Sequence, residues 1–198
     1  MRIDSHVHVW TLGAPPYTHN DDMSTQRPEY PGLVENLIRY MDLNEIDRTV
    51  LIQCMYHGYD NSYLCDCLQR FPDRLHGVAL LDPRKPNAAG KLERLYREHG
   101  VQGMRLYPIR DKNAAWLSDT NQNSLWETAR QLRIPFTWFG YCRQIPMLEP
   151  ILQRFPEVNV IIDHLGEPRL PDRRIRIRPH AQRTNRTATR RGRARRPS

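Results

Sequence analysis

The chain has 198 residues, of which 39% are hydrophobic and 26% charged. This composition suits one globular domain with a buried core, and it excludes the disordered, collagen-like and disulfide-stapled classes. The net charge of +8 would ordinarily favour a nucleic-acid or acidic-membrane partner. The charge is concentrated, however: residues 169–198 contain 12 Arg and the single acid Asp172, a net +11, which leaves −3 for residues 1–168.

The four cysteines, Cys54, Cys65, Cys67 and Cys142, lack zinc-finger spacing. They are typical of reduced packing thiols, because residues two apart on a helix, such as Cys65 and Cys67, face different ways. The N-terminus lacks the apolar core of a signal peptide, and no segment has the length of a membrane span. We therefore expect a cytoplasmic protein with no membrane partner.

Short apolar runs, each typical of a buried strand, alternate along the chain with segments of helical period. The predicted strands are 3–9, 49–53, 77–82, 101–106, 135–139 and 158–163. The predicted helices carry Leu33/Leu37/Met41, Leu64/Cys67/Leu68/Phe71, Leu92/Leu95/Tyr96, Leu125/Ala129/Leu132 and Leu148/Ile151/Leu152/Phe155. Strictly alternating β and α units leave two main architectures, the doubly wound sheet and the (β/α)8 TIM barrel.

Polar residues at the strand ends favour the barrel. His6 and His8, Gln53, Asp82, Arg105 with Tyr107, and Asp163 with His164 each stand where a predicted strand finishes. A barrel gathers its active site from the carboxyl ends of several strands, whereas an open sheet uses one switch point beside a Gly-rich turn, and none follows a strand here. The predicted fold is an α/β TIM-type barrel.

About six β/α units are present by His164, whereas a barrel of this kind normally has eight. Residues 169–198 show no further strand pattern and have the composition of a disordered arm. GC-rich DNA read out of frame also yields mostly Arg, Pro, Ala and Gly, so we favour a frameshift near residue 169 over an evolved basic arm. The chain is thus predicted to comprise an incomplete barrel, residues 1–168, and an Arg-rich tail, residues 169–198.

The first predicted strand carries two histidines two residues apart, His6 and His8. Side chains at this spacing point to the same face of a strand, so two imidazoles can converge on one metal ion. Asp4 lies on the same face, where a carboxylate can hold the second N–H of an imidazole. The alternative is that the two histidines lie on the strand without a shared role.

Several segments in order resemble the amidohydrolase-related family, in the branch of TIM-barrel hydrolases that contains sugar-acid and pyrone-dicarboxylate lactonases. The resemblance covers residues 1 to about 168 and excludes the tail. The matching segments are Ile3–Trp10, Asn61–Leu64, Phe71–Arg74, Gly77–Ala79, Gly103–Leu106 and Val160–Pro168.

The resemblance implies roles for individual residues. His6 and His8 correspond to the first-strand pair, which binds a divalent metal such as Zn or Mn in many members and contacts substrate in metal-free ones. His164 corresponds to the catalytic sixth-strand histidine, with Asp163 beside it in a supporting role, as for Asp4. Arg105 corresponds to a fourth-strand arginine that can clamp a substrate carboxylate, although a structural Arg–Asp pair is the alternative.

Tyr107 and Gln53 are weaker candidates for polar contacts with the substrate. Two features depart from the family pattern. Metal-dependent relatives often have a fifth-strand histidine, which residues 135–141 lack, and the expected eighth-strand aspartate, metal ligand and base for water, is not reached before the chain ends. A metal-free mechanism is therefore left open, and hydrolysis is expected to be severely impaired without that carboxylate.

The leading prediction is an enzyme, a hydrolase that opens a lactone or ester of a small carboxylated substrate by attack of water. The alternative on the same scaffold is a non-oxidative decarboxylase. A third hypothesis is an inactive truncated product. The fourth is non-specific nucleic-acid binding through the tail, which we disfavour because the tail lacks aromatic residues to stack on bases.

Overall fold

The computed structural model describes residues 1–168 except Ala14, Thr25, Gln26, Lys112 and Ser118. The Arg-rich segment 169–198 lies outside the described residues. Its boundary, its frameshift origin and its nucleic-acid hypothesis therefore stay predictions.

The alternation of strands and helices predicted from the sequence is confirmed along the described chain. The strands are β1 (Ile3–Val7), β2 (Arg48–Ile52), β3 (Leu75–Leu80), β4 (Val101–Leu106), β5 (Phe136–Trp138) and β6 (Val160–Ile162). The helices are α1 (Val34–Leu43), α2 (Ser62–Arg70), α3 (Ala88–His99), α4 (Asn123–Leu132) and α5 (Glu149–Arg154). Short 3₁₀ turns follow β4, β5 and β6.

The six strands form one parallel sheet in the order β1-β2-β3-β4-β5-β6. In a flat sheet of this size the two edge strands would lie about 24 Å apart, given a strand spacing of about 4.8 Å. Instead the rings of His6, on β1, and His164, just after β6, have centroids 4.9 Å apart. The sheet is therefore curled into a half-barrel, and the prediction of an incomplete TIM barrel is confirmed.

Each helix packs an apolar face on the outside of the curled sheet, as its period predicts. Trp126 of α4 is fully buried, with its ring 4.8 Å from Phe136 of β5 and 6.3 Å from Phe155 after α5. At Gly77 of β3 the helix α2 approaches so closely that an added Cβ would lie 2.3 Å from the Leu68 side chain. The core therefore lies between sheet and helices, which leaves the carboxyl ends of the strands to the connecting loops.

The loop that follows β2 is held by buried polar side chains. Gln53 donates both to the Gly58 carbonyl and to the Asp60 carbonyl, and Asn61 pairs with the backbone N–H and C=O of Leu80 at the end of β3. His57 accepts from the Thr11 amide and donates to the Thr18 carbonyl, so it ties this loop to the one after β1. These bonds satisfy buried polar groups and give the strand ends a defined rim.

Across residues 1–168, less the five gaps, no helix is long and apolar enough to cross a membrane.

Replacement of Trp126 by Ala tests the packing of α4 on β5. We expect the free energy of unfolding to fall by about 3–5 kcal/mol, because the change leaves a large cavity in the core. Urea denaturation followed by circular dichroism measures it. The control Tyr40→Ala, at a side chain 62% exposed, should change stability by about 0.5 kcal/mol or less. Equal effects of the two variants would contradict the packing described.

The cysteines give a chemical test of burial. Cys54, Cys65 and Cys67 are buried and Cys142 is exposed. Burial raises the pKa of Cys65 to about 11 and that of Cys67 to about 12, which removes the reactive thiolate. We expect iodoacetamide at pH 8 to label Cys142 alone in the native chain and all four thiols in guanidinium, as read by mass spectrometry of peptides. Labelling of Cys67 in the native chain would contradict this arrangement.

Candidate active site

The two first-strand histidines meet at the carboxyl end of β1. Their Nε2 atoms lie 3.3 Å apart. This is longer than an ordinary hydrogen bond, and it matches the separation of about 3.3 Å expected for two nitrogen ligands at 2.0–2.1 Å from a tetrahedral zinc ion. The pair predicted from the His-x-His spacing is therefore brought together.

The tautomer of His8 follows from its other ring nitrogen. Nδ1 lies 2.8 Å from the Ile52 carbonyl at the end of β2, so Nδ1 carries the proton and Nε2 presents its lone pair to His6. Burial lowers the pKa of His8 to about 4 and also lowers the pKa of His6. Both imidazoles are neutral at pH 7, the state in which histidine binds metal or accepts a proton.

His164 lies directly after β6 and reaches across the mouth of the half-barrel to His6. Its backbone is left-handed, with φ of 50°, and the following Leu165 has φ of 55°. Histidine adopts this conformation more readily than most residues, but two such residues in succession are uncommon. The turn exposes the imidazole at the open end, beside the Phe139 ring at 5.3 Å.

A buried ion pair lies beneath the histidines. Arg105 of β4 and Asp163, which follows β6, approach to 2.9 Å between Nη2 and Oδ2, with side chains only 6% and 5% exposed. Asp163 also lies 3.9 Å from Nδ1 of His6. Arg105 thus forms the Arg–Asp pair that was the alternative to a substrate-binding role. The Nε of Arg105 is buried and has no hydrogen-bond partner among the described residues.

An aromatic wall joins these groups. The Arg105 guanidinium stacks over the Phe139 ring at 4.4 Å, and Tyr107 packs on the same ring at 5.3 Å. Burial raises the pKa of the half-buried Tyr107, so its hydroxyl stays protonated. The wall limits access of water to the guanidinium on one side and strengthens its electrostatic interactions.

Two residues that were predicted to belong to the site, Asp4 and Gln53, have other contacts. Asp4 accepts a hydrogen bond from the backbone N–H of His6 at 3.2 Å. The imidazole N–H of His8, which Asp4 was expected to hold, donates to the Ile52 carbonyl instead. Gln53 is buried and donates to two carbonyls of its own loop, as described above. Both residues hold the backbone around the site rather than contact its centre.

Phe139 and Thr137 also lie at the site, and neither was predicted from the sequence. Thr137 of β5 is in register with Arg105 of β4, and its buried hydroxyl has no hydrogen-bond partner within the described part of the chain. Phe139 follows the last residue of β5, so the rule that strand carboxyl ends form the site would have found it if applied to apolar residues as well as polar ones.

The residues of the site supply only part of what a divalent metal ion requires. Catalytic zinc sites have three protein ligands. His6 and His8 have the spacing of two ligands, but no cluster of three or more His, Cys, Asp or Glu with the geometry of a metal site occurs among the residues described. The described residues therefore do not form a complete metal site, and no catalytic step is assigned to a metal.

Comparisons with known proteins agree with this fold. A sequence model of the amidohydrolase family matches residues 3–194, so the chain belongs to the amidohydrolase family, a family of hydrolases. An L-fucono-1,5-lactonase from Burkholderia ambifaria is 25% identical over 175 residues, which are 85% of this chain and 58% of that protein.

Two solved structures share the fold. One is a probable 2-pyrone-4,6-dicarboxylic acid hydrolase from Acinetobacter baumannii, with a TM-score of 0.71, 24% identity, and coverage of 83% of this chain and 58% of that one. The other is a manganese-bound 5-carboxyvanillate decarboxylase from Novosphingobium aromaticivorans, with a TM-score of 0.61, 18% identity, and coverage of 84% and 66%. The chain thus spans a little under three fifths of the length of the lactonase and of the pyrone hydrolase.

A double-mutant cycle tests the buried ion pair. Asp163→Asn or Arg105→Met alone should cost about 3–5 kcal/mol of unfolding free energy, because each leaves a buried charge unpaired. The double variant should cost clearly less than the sum of the two single changes, since no lone charge remains. Urea denaturation measures all four proteins, and strictly additive costs would show that the two groups do not interact.

Proposed function

We propose that this chain carries the substrate-binding and carbonyl-polarising part of a hydrolase that opens a lactone or ester of a small carboxylated substrate by attack of water. The observation that carries the proposal is the convergence of His6, His8, His164 and the Arg105–Asp163 pair at one end of the half-barrel. The similarity to a lactonase supports this reaction class.

Arg105 is proposed to bind an oxygen of the substrate through its Nε. Its Nη2 is held by Asp163, which orients the guanidinium and leaves Nε as the free buried donor. Burial lowers the pKa of Arg105, yet a guanidinium keeps its charge at any physiological pH. A charged donor in a water-poor site stabilises the negative charge that develops on a carbonyl oxygen under attack.

His164 is proposed as the catalytic histidine that faces the reacting carbonyl, because it is exposed at the mouth while its ring contacts His6. The neutral His6 and His8 complete the polar floor. The family resemblance implies that an aspartate on an eighth strand takes the proton from the attacking water. The described residues contain six strands, so we place the base outside them.

For a divalent metal cofactor, we propose only two protein ligands, His6 and His8. A divalent ion, zinc or manganese, would take His6 and His8 as two of its ligands and would polarise the carbonyl when bound. Because no third ligand is found in the described part of the chain, the roles of Arg105 and His164 are derived without it.

Acid release from D-galactono-1,4-lactone, followed with a pH indicator, tests the proposed function in the 198-residue chain. Because the base is placed outside the described residues, we expect hydrolysis only weakly above the buffer rate, and a kcat/KM that is lower still in His164→Asn, because the variant loses a group at the reacting carbonyl.

The matched control is His99→Asn, at an exposed histidine that ends α3 far from the site, and its rate should equal that of the unaltered chain. Hydrolysis unchanged by His164→Asn would overturn the assignment. Release of carbon dioxide from an aromatic carboxylate, without hydrolysis of the lactone, would establish the decarboxylase alternative instead.

A further inference from the structure

Thr137 lies on β5, between the two strands whose ends carry the buried ion pair. It is in register with Arg105 of β4 on one side and with Ile161 of β6 on the other. Asp163 stands two residues beyond Ile161, and residues two apart on a strand share a face. The side chains of Arg105, Thr137 and Asp163 therefore lie on the same face of three consecutive strands.

A cavity of about 660 Å³ inside the half-barrel links Thr137 to the candidate site. His6 and His164 line this cavity, together with apolar side chains that include Ile52 of β2 and Val78 of β3. Its volume suits a small organic ligand. Thr137 thus shares one enclosure with the two histidines that meet at the mouth.

Two buried polar atoms on this face lack hydrogen-bond partners among the residues described. They are Nε of Arg105 and Oγ1 of Thr137, and each residue is only 5% exposed. Roughly nine in ten or more buried polar groups in proteins are paired, because an unpaired buried group destabilises the fold. Two such atoms on neighbouring strands, in register, point to a ligand atom that both can hold.

One oxygen atom satisfies both groups. Neighbouring strands lie about 4.8 Å apart, and hydrogen bonds to oxygen span about 2.7–3.0 Å, so an oxygen between the two side chains reaches both. A guanidinium only donates hydrogen bonds and a hydroxyl can donate, so the ligand atom has to be an acceptor. A carbonyl oxygen that gains negative charge under attack is stabilised most by two fixed donors, one of them charged.

We propose that Thr137 is a substrate-binding residue whose hydroxyl holds the same carbonyl oxygen of the lactone or ester as Nε of Arg105. The inference rests on the proposed function, in which Arg105 alone is assigned to that oxygen. Asp163 orients the guanidinium, and the pairing of β4 with β5 fixes Thr137 beside it. Both donors are therefore in place before the substrate binds, which is the condition for effective charge stabilisation.

Urea denaturation tests whether the Thr137 hydroxyl lacks a partner inside the protein. Thr137→Val keeps the shape of the side chain and should leave the urea midpoint unchanged or raise it, because no hydrogen bond is lost. The matched control is Thr49→Val, at a fully buried threonine of β2 whose hydroxyl donates to the Asp4 carbonyl at 3.2 Å, and its midpoint should fall. An equal fall in both variants would overturn the inference.

NMR titration of the ¹⁵N-labelled full chain tests the ligand without requiring turnover. D-galactono-1,4-lactone is compared with 1,4-anhydro-D-galactitol, which has the same ring and hydroxyl groups and no carbonyl. The Nε–H signal of Arg105 is identified by its loss in Arg105→Lys. We expect the lactone to shift this signal in a saturable way and the anhydrogalactitol to leave it in place, because only the lactone carries the carbonyl acceptor.

The variants at position 137 give the specificity of the effect. Thr137→Val should weaken lactone binding about fivefold, the usual effect of one lost hydrogen bond, and Thr137→Ser, which keeps the hydroxyl, should bind within about twofold of the unaltered chain. Equal shifts by the two compounds, or an affinity unchanged in Thr137→Val, would contradict the assignment. So would a nuclear Overhauser contact from the Arg105 Nε–H to water that persists at saturating lactone, because the oxygen held there would be water only.

Failure of this inference and failure of the proposed function give different results. Hydrolysis that is sensitive to His164→Asn, together with a lactone affinity that is insensitive to Thr137→Val, removes the assignment of Thr137 and leaves the hydrolase. Lactone binding that depends on the Thr137 hydroxyl, without any hydrolysis that His164→Asn lowers, supports the oxygen site and removes the reaction.

Discussion

The buried contact between Arg105 and Asp163 is the interaction on which the site depends. These residues belong to β4 and to the end of β6, which are separated in the sheet by β5. No backbone ladder joins β4 to β6, so the ion pair spans the concave side of the sheet across an intervening strand. It places Asp163 beside His6, and the chain then turns to carry His164 over the mouth.

Removal of one partner would leave an unpaired charge inside the barrel. The same pair orients the guanidinium of Arg105, whose Nε is a buried N–H without a partner among the described residues. The structural role of this arginine and its proposed binding role are therefore compatible: Nη2 pairs with Asp163, and Nε is the nitrogen proposed to bind the substrate.

The fold was predictable because its signals are local. Uninterrupted apolar runs such as Val78–Leu81 are typical of strands buried on both faces, and α4 shows a clear helical period around Trp126. Parallel order follows from strict alternation of strand and helix. The His6–His8 pair was predictable for the same reason, since two-residue periodicity alone puts both imidazoles on one face.

Other parts of the site depend on contacts between distant segments, which periodicity does not encode. Nothing in the segment Asp4–His8 indicates that the Ile52 carbonyl, 44 residues away, and not Asp4, holds the Nδ1 of His8. The left-handed turn at His164 and the stacking of Arg105 on Phe139 arise from tertiary packing.

The geometry also couples the stability of the half-barrel to the formation of the site. His6 lies on the edge strand β1 and His164 follows the opposite edge strand β6, and within the described chain no backbone hydrogen bond joins these two edges. Both edges expose apolar side chains, with Ile3 51% and Ile161 52% accessible to solvent. Unpaired edges of this kind tend to associate with other strands. Any flattening of the sheet that satisfied those edges would separate His6 from His164. The curl of the sheet, which also brings Arg105 to Asp163, is therefore the condition for the histidines to meet.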